Sequence, residues 1–157
     1  MIRFLQRAFS YDSSSDEWLS IPRHFQVLTR PRLVDPAAPA YFIATGDHGE
    51  IIGGTGLFQV AGEPADEGWV DWFAVDVNSR GRGVGRALLA RVLATSKDRG
   101  LRTLRLFTSD RPEEASAQWL YESMGLREYR REPEVVLGKL TGFNVVYRST
   151  ALGAPVP

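Results

Sequence analysis

Residues 78 to 86 spell NSRGRGVGR, three arginines and three glycines in nine positions, with an apolar helical pattern directly behind them. Glycine is a poor helix residue, so its concentration there asks either for positive φ or for something that approaches the backbone closely. A glycine-rich turn at a helix start can hold an anion. The first N–H groups of a helix have no internal acceptor, the helix dipole adds partial positive charge, and arginines add charge-assisted hydrogen bonds. Two familiar phosphate spacings fail. Counting G-x-G-x-x-G from Gly81 and Gly83 puts Arg86 in the third glycine position, and no lysine closes a P-loop. What fits is R-x-x-G-x-G, at Arg80, Gly83 and Gly85.

A second chemical signal is a lone carboxylate, Asp71, inside the apolar run WVDWFAV (69–75). Alternation places Val70, Trp72 and Ala74 on one side and Trp69, Phe73 and Val75 on the other, as in a strand covered on both faces. An unpaired aspartate buried there would cost several kcal/mol, so Asp71 needs a partner or a cleft. A salt bridge to an arginine and a place on an open cleft both remain possible readings. The two histidines, His24 and His48, are far apart in sequence and propose no metal site. Tyr121 on its own reads as a core residue with a wet hydroxyl.

The elements that position these groups follow from periodicity and turn chemistry. YFIAT (41–45) and IIGGTGLFQV (51–60) flank GDHGE, which predicts a hairpin, and 69–75 is a third strand. Val84, Leu88, Leu89, Val92 and Leu93 make a helical stripe that Gly100 closes. TLRLF (103–107) is a strand. Asp110 and Glu113 form a capping-box pattern opening a helix that ends at Gly125, with Ala117, Leu120, Tyr121 and Met124 on one face. LREYRR (126–131) and FNVVYR (143–148) are the last strands, and EPEVVLGKLTG between them fits strand or helix. Upstream, Ser14 and Glu17 suggest a short helix around Trp18, and prolines break up residues 20–40.

The chain has 157 residues, 19 basic and 19 acidic, 43% hydrophobic, which suits one domain spanning 1–157. Neutral charge argues against nucleic-acid binding, and no apolar window is long enough for a membrane span. The expected location is cytoplasmic. The absence of cysteine excludes disulfides and thiolate nucleophiles.

WFAVDVNSRGRGVGRALLARVL resembles the pyrophosphate-binding motif of the GNAT superfamily, the acetyl-CoA-dependent N-acyltransferases, and AQWLYESMGLRE resembles the same superfamily's later helix. The resemblance covers about residues 41 to 131. It implies a mixed α/β (α+β) fold, with a mostly antiparallel sheet, a central pair of parallel splayed strands, and helices on both faces. It also implies an enzyme moving an acetyl or short acyl group from acetyl-CoA to a primary amine, without metal. The backbone of Phe73, Ala74 and Val75 would pair with the pantetheine arm. Arg80, Gly81, Arg82, Gly83, Val84, Gly85 and Arg86 would wrap the pyrophosphate, and Tyr121 would protonate the departing thiolate. Asp71 matches a strand position that carries a carboxylate base in some members. Glu114 stands where the superfamily often has asparagine, and MIRFLQRAF is an unclear first strand. An acyl-CoA sensor without turnover is the alternative, an RNA-binding loop is disfavoured by charge, and a homodimer is left open.

Overall fold

The computed structural model describes residues 39–136 and 138–153. Among these residues six strands form one sheet: β1 (Ala40–Thr45), β2 (Ile51–Phe58), β3 (Glu67–Val75), β4 (Thr103–Ser109), β5 (Arg127–Val136) and β6 (Lys139–Ala151). Two α-helices accompany them, α1 (Val84–Asp98) and α2 (Ala115–Ser123). Among the described residues the order across the sheet is β1-β2-β3-β4-β6-β5, with β3 and β4 parallel and the other neighbours antiparallel. A parallel pair needs a crossover, and α1 supplies it. The stretch left open by periodicity is strand: residues 127–136 and 139–151 form one long hairpin that turns at Gly138, with φ of 76°.

Both described helices cover the same face. Leu57, Val70, Leu104 and Leu106 from the strands pack with Leu89 and Val92 of α1 and with Tyr121 of α2. The other face carries Trp69, Arg105, Phe107 and Tyr147, whose rings and guanidinium group lie against one another. Helices on both faces were expected from the resemblance; the residues that would supply the second layer, and the Ser14–Glu17 cap, lie outside those described. Among the described residues no helix is long and apolar enough to cross a membrane.

Both helices end in the same way. Gly100 and Gly125 adopt φ of 74° and 89°, just past the last helical turn. Behind α1, Gly100 N–H donates to Lys97 O (2.9 Å) and Leu101 N–H to Ser96 O (3.0 Å). Behind α2, Gly125 N–H donates to Glu122 O (3.1 Å) and Leu126 N–H to Tyr121 O (3.0 Å). This is the Schellman arrangement, in which a left-handed residue turns the chain back to satisfy orphan carbonyls. Leu101 and Leu126, the residues following the glycines, are buried and anchor each turn in the core.

The start of the second helical segment differs from the capping-box expectation. A 3-10 turn, Pro112–Glu114, precedes α2, and its N-cap position is Arg111, with no side-chain cap. Asp110 is taken by β6 instead, accepting from Asn144 N–H and Nδ2 (both 2.7 Å). Glu114, one residue beyond Glu113, reaches back to Ser109 N–H (3.0 Å) and to the Thr108 hydroxyl. The long hairpin outcompetes the local cap because it offers Asp110 two donors and the Arg131 guanidinium at 3.0 Å.

Candidate active site

The site is a gap that opens between two strands. β3 and β4 pair only through Glu67↔Thr103, Gly68↔Leu104 and Trp69↔Arg105. Beyond Trp69 no further pairing joins them, while β3 stays attached to β2 as far as Val75. Asp76 N–H donates to Ile52 O at 2.9 Å. In an antiparallel ladder alternate residues face alternate edges, so Val75 and Phe73 turn their N–H and C=O toward the gap. Ala74 is paired with Gly54 of β2. Of the three residues expected to pair with a ligand, Phe73 and Val75 lie along the gap, whereas the Ala74 backbone is turned to β2.

A bulge governs what β3 displays. Gly54 pairs with Ala74 but Gly56 with Asp71, so Thr55 alone opposes Trp72 and Phe73. Trp72 takes φ of 42°, a left-handed conformation that costs a bulky residue about 1–3 kcal/mol. The buried Thr55 hydroxyl donates to the Asp71 carbonyl at 3.1 Å, serving a group at the break in the ladder. A bulge re-aims side chains, and here it reverses the alternation predicted from sequence. Val70, Phe73 and Val75 all face the helices, whereas Trp69 and Asp71 face the other side.

Asp71 has the polar partner its position demands. The Tyr41 hydroxyl, reaching over from β1, donates to Asp71 Oδ2 at 2.6 Å. Gly56 lies between them: a Cβ there would come within 2.7 Å of the Tyr41 ring and 3.1 Å of Asp71 Cβ. Burial, reinforced by the Asp71 charge and by the hydrogen bond, pushes the Tyr41 phenol well above its usual pKa. It therefore remains a donor to a carboxylate across the ordinary pH range. Sequence reasoning missed Tyr41, since nothing in the spacing of residues 41 and 71 announces that a glycine in β2 lets them meet.

The glycine run resolves into two kinds of glycine. Gly81 and Gly83 have φ of 72° and 85°, and a Cβ on either would meet nothing within 4 Å. Their role is conformational, and the space above them is open. Gly85 is inside α1, and a Cβ there would lie 3.1 Å from Leu120 and 3.2 Å from Phe73, so it permits close packing of α1 against α2 and β3. Before the run, Asp76 Oδ1 accepts from Asn78 N–H (3.0 Å) and caps the short turn Val77–Ser79. Gly83 is the N-cap of α1 with no side-chain cap and no acidic residue in the first turn. The first helical bond runs from Ala87 N–H to Gly83 O (3.0 Å), leaving the N–H groups of Val84, Gly85 and Arg86 without helical acceptors.

The three arginines point in different directions. Arg80 Nε donates to Val75 O (3.2 Å), beside the gap. Arg86 reaches Ser123 Oγ of α2 (3.1 Å). Arg82 lines a cleft of about 680 Å³ between α1 and β1, with Arg91 and Phe42.

Tyr121 is buried, and its ring meets Phe73 edge-on with centroids 5.5 Å apart. It occupies the third-last position of α2, whose carbonyl the Schellman turn claims. The Leu126 carbonyl accepts in turn from Arg148 Nη1 (3.3 Å), and Arg148 Nη2 donates to Gln118 Oε1 (3.2 Å). Arg148 and Gln118 were not singled out from sequence. The tyrosine, glycine and leucine of LYESMGL thus have one physical meaning: the last two fix where the first stands.

The chain matches the model of the Acetyltransferase (GNAT) family over residues 3–126. Comparison with curated proteins returned no significant match. Similar solved structures include a GNAT-family protein from Desulfovibrio desulfuricans, with TM-score 0.72 and 17% identity, covering 97% of this chain and 90% of that one. Another is the IAA acetyltransferase from Bacillus cereus, with TM-score 0.66 and 19% identity over 94% and 89% of the chains. A third is the ribosomal-protein-S18-alanine N-acetyltransferase from Escherichia coli, with TM-score 0.64 and 20% identity over 86% and 76%. At these identities the likenesses speak for the fold, and the family match goes further: the chain belongs to the GNAT family of acetyltransferases.

Proposed function

We propose that the protein moves an acetyl or other short acyl group from acetyl-CoA to a primary amine by direct attack. The observation that carries this reading is the gap beyond Trp69 and Arg105, walled by β3 backbone, with the bare start of α1 at its outer end and Tyr121 against Phe73. Acetyl-CoA would supply a thioester carbonyl open to attack. Its pyrophosphate fits the open space above Gly81 and Gly83, within reach of the N–H groups of Val84, Gly85 and Arg86 and of the Arg80 and Arg86 guanidinium groups. Its pantetheine arm fits the edge of β3, where Phe73 and Val75 offer peptide groups. One of those N–H groups, aimed at the thioester oxygen, would stabilise the charge that develops there.

The acceptor arrives as an ammonium ion, since an unperturbed alkylamine is mostly protonated at neutral pH. Asp71 binds it and takes a proton, directly or through a water. Nitrogen then bonds to the carbonyl carbon, the C–S bond breaks, and Tyr121 donates its proton to the thiolate. The second proton lost by nitrogen restores Tyr121. No cysteine is present to form a covalent acyl-enzyme through sulfur. The bulge serves this scheme by presenting Asp71 on one face of β3 and Phe73, with Tyr121, on the other, so that base and acid approach from opposite sides.

The test is Tyr121→Phe, which keeps the ring against Phe73 and removes the hydroxyl. With thiol release followed against an amine panel, kcat should fall by about 10²–10⁴ while acetyl-CoA affinity by calorimetry is unchanged. Wild-type turnover in that variant would remove Tyr121 from the chemistry. Binding of acetyl-CoA without thiol release against any amine would favour a sensor.

A further inference from the structure

A buried arginine stands behind α2 without an acidic partner. Arg148 of β6 is 5% exposed, and among the described residues no carboxylate pairs with it. Its hydrogen bonds go to two uncharged oxygens, Leu126 O at 3.3 Å and Gln118 Oε1 at 3.2 Å. Its Nε is buried with no partner among the described residues. Burying a guanidinium without a counter-ion is costly, and an apolar side chain among apolar neighbours would avoid that cost. Stability alone does not explain arginine at this position; what it holds does.

Gln118 passes the contact on. Its Nε2 donates to Ser109 O at 2.6 Å, so its amide joins Arg148 to the end of β4. Asp110 N–H donates to Asn144 O of β6 (3.0 Å), whereas Ser109 N–H donates to Glu114 (3.0 Å). By this alternation the Ser109 peptide groups turn away from β6 and toward the gap. Residues 106–109 of β4 no longer pair with β3 and form the second wall of that gap. Gln118 grips this wall. Three residues on, at a neighbouring position of the same helix surface, Tyr121 lays its ring against Phe73 of the first wall. α2 therefore spans the opening. Arg148 fixes the span twice, through Gln118 and through Leu126, whose N–H donates to Tyr121 O at 3.0 Å.

We infer that Gln118 and Arg148 are positioning residues for acyl transfer: they set where α2 stands between the two walls and so bring the Tyr121 hydroxyl to the departing sulfur. Neither touches the reacting atoms. Apolar contacts are non-directional and tolerate a small slide of one element on another, while hydrogen bonds of fixed length and angle do not. The difference matters because a misplacement of about 1 Å can slow a reaction about 100-fold. This inference rests on the acyl-transfer reading above and goes beyond it in naming what places the acid.

The experiment is a double-mutant cycle on the full chain with acetyl-CoA. Thiol release is followed with whichever of ethylamine, spermidine and a short peptide with a free N-terminus reacts fastest. In Gln118→Met, kcat should fall by about 10- to 100-fold, with acetyl-CoA affinity by calorimetry within about twofold of wild type. Added to Tyr121→Phe, the same substitution should slow turnover by less than about twofold, because the acid it places is already gone. Arg148→Lys should show the same pattern, a smaller loss of kcat that vanishes in the Tyr121→Phe background. Melting curves check the fold. If Gln118→Met does not fold, Gln118→Glu, which keeps an acceptor for Arg148 and loses only the donor to Ser109 O, takes its place in the cycle. Wild-type kcat in the folded Gln118 variant, the same fold loss in both backgrounds, or affinity falling in step with kcat would overturn the inference. Those results leave the acyl-transfer reading standing as long as Tyr121→Phe is itself slow. Undiminished turnover in Tyr121→Phe, or no thiol release with any of the amines, would sink that reading and this inference with it.

Discussion

Replacing Gly83 probes the donor site with the least disturbance, provided the right residue is chosen. Gly83 sits at φ 85°, ψ −4°, and a Cβ there meets no atom within 4 Å. No clash arises, and the cost of substitution is conformational, about 1–2 kcal/mol for an ordinary L-residue. Valine would be a poor choice, because a β-branched residue at that φ is a severe outlier and unfolding would cloud the result. Asparagine tolerates the left-handed region, so Gly83→Asn should cost about 1 kcal/mol, or about 2–4 °C in Tm for a chain of this size. The new side chain projects into the open space above the turn, where the pyrophosphate is proposed to lie. Losing one charge-assisted hydrogen bond there is worth about 1.5–3 kcal/mol, so Kd for acetyl-CoA should rise by about 10- to 150-fold. Calorimetry on protein shown by melting to be folded measures both quantities. Unchanged affinity in folded Gly83→Asn would refute the pyrophosphate assignment.

Asp71→Asn keeps an acceptor for the Tyr41 hydroxyl and removes the carboxylate proposed as the base. Its acyl-transfer rate should fall at neutral pH and partly recover above about pH 9, where more of the amine is unprotonated; a pH–rate profile parallel to wild type would exclude the base role. Arg148→Met withdraws donors from the Leu126 carbonyl and from Gln118, and should lower stability by about 1–3 kcal/mol in urea melts; an unchanged midpoint would mean that α2 holds its place without Arg148. Asn144 hydrogen bonds hold the Asp110 carboxyl below its ordinary pKa, and Arg131 does the same for Glu128. For Glu134 burial pushes upward, but the bonds from Arg111 and Thr141 outweigh it and the net shift is down. Folded values below the unfolded ones, 3.8 for Asp and 4.5 for Glu, give stability that is present above those unfolded values. That stability is lost as pH falls through the depressed folded values. Urea midpoints should therefore hold from pH 7 to about 5 and then drop, less steeply in Asp110→Asn; equal slopes would show that Asp110 contributes nothing to the acid limb.

Local chemistry was legible in the sequence wherever one residue's backbone preference decided the outcome. Gly100 and Gly125 marked the helix ends because only a left-handed residue closes a Schellman turn cheaply. The start of α1 was visible from the arginine–glycine run for the same reason. What escaped was decided between distant segments. The bulge at Trp72 depends on Thr55 standing alone across the ladder, and period-two reading of WVDWFAV had no means of detecting the extra residue. The Tyr41–Asp71 bond needs Gly56 to be side-chain-free in the strand between them. The capping box at Asp110 failed because Asn144, thirty-four residues downstream, offers two hydrogen bonds where a cap offers one. The hairpin of β5 and β6 was ambiguous because β5 is exposed along nearly its whole length and carries no buried face to set a period.

The parity reversal at Trp72 also bears on how such an enzyme changes its substrate over generations. On the reading proposed here, everything that handles the donor lies on the helix side of β3 or along its edge, and everything that selects the acceptor lies on the opposite side. Side chains on that opposite side can therefore vary without touching the packing of Tyr121 on Phe73 or the turn at Gly83. A single supernumerary residue thus divides one strand into an inherited half and an adaptable half, and divergence of acceptor choice can proceed while the donor machinery stays fixed.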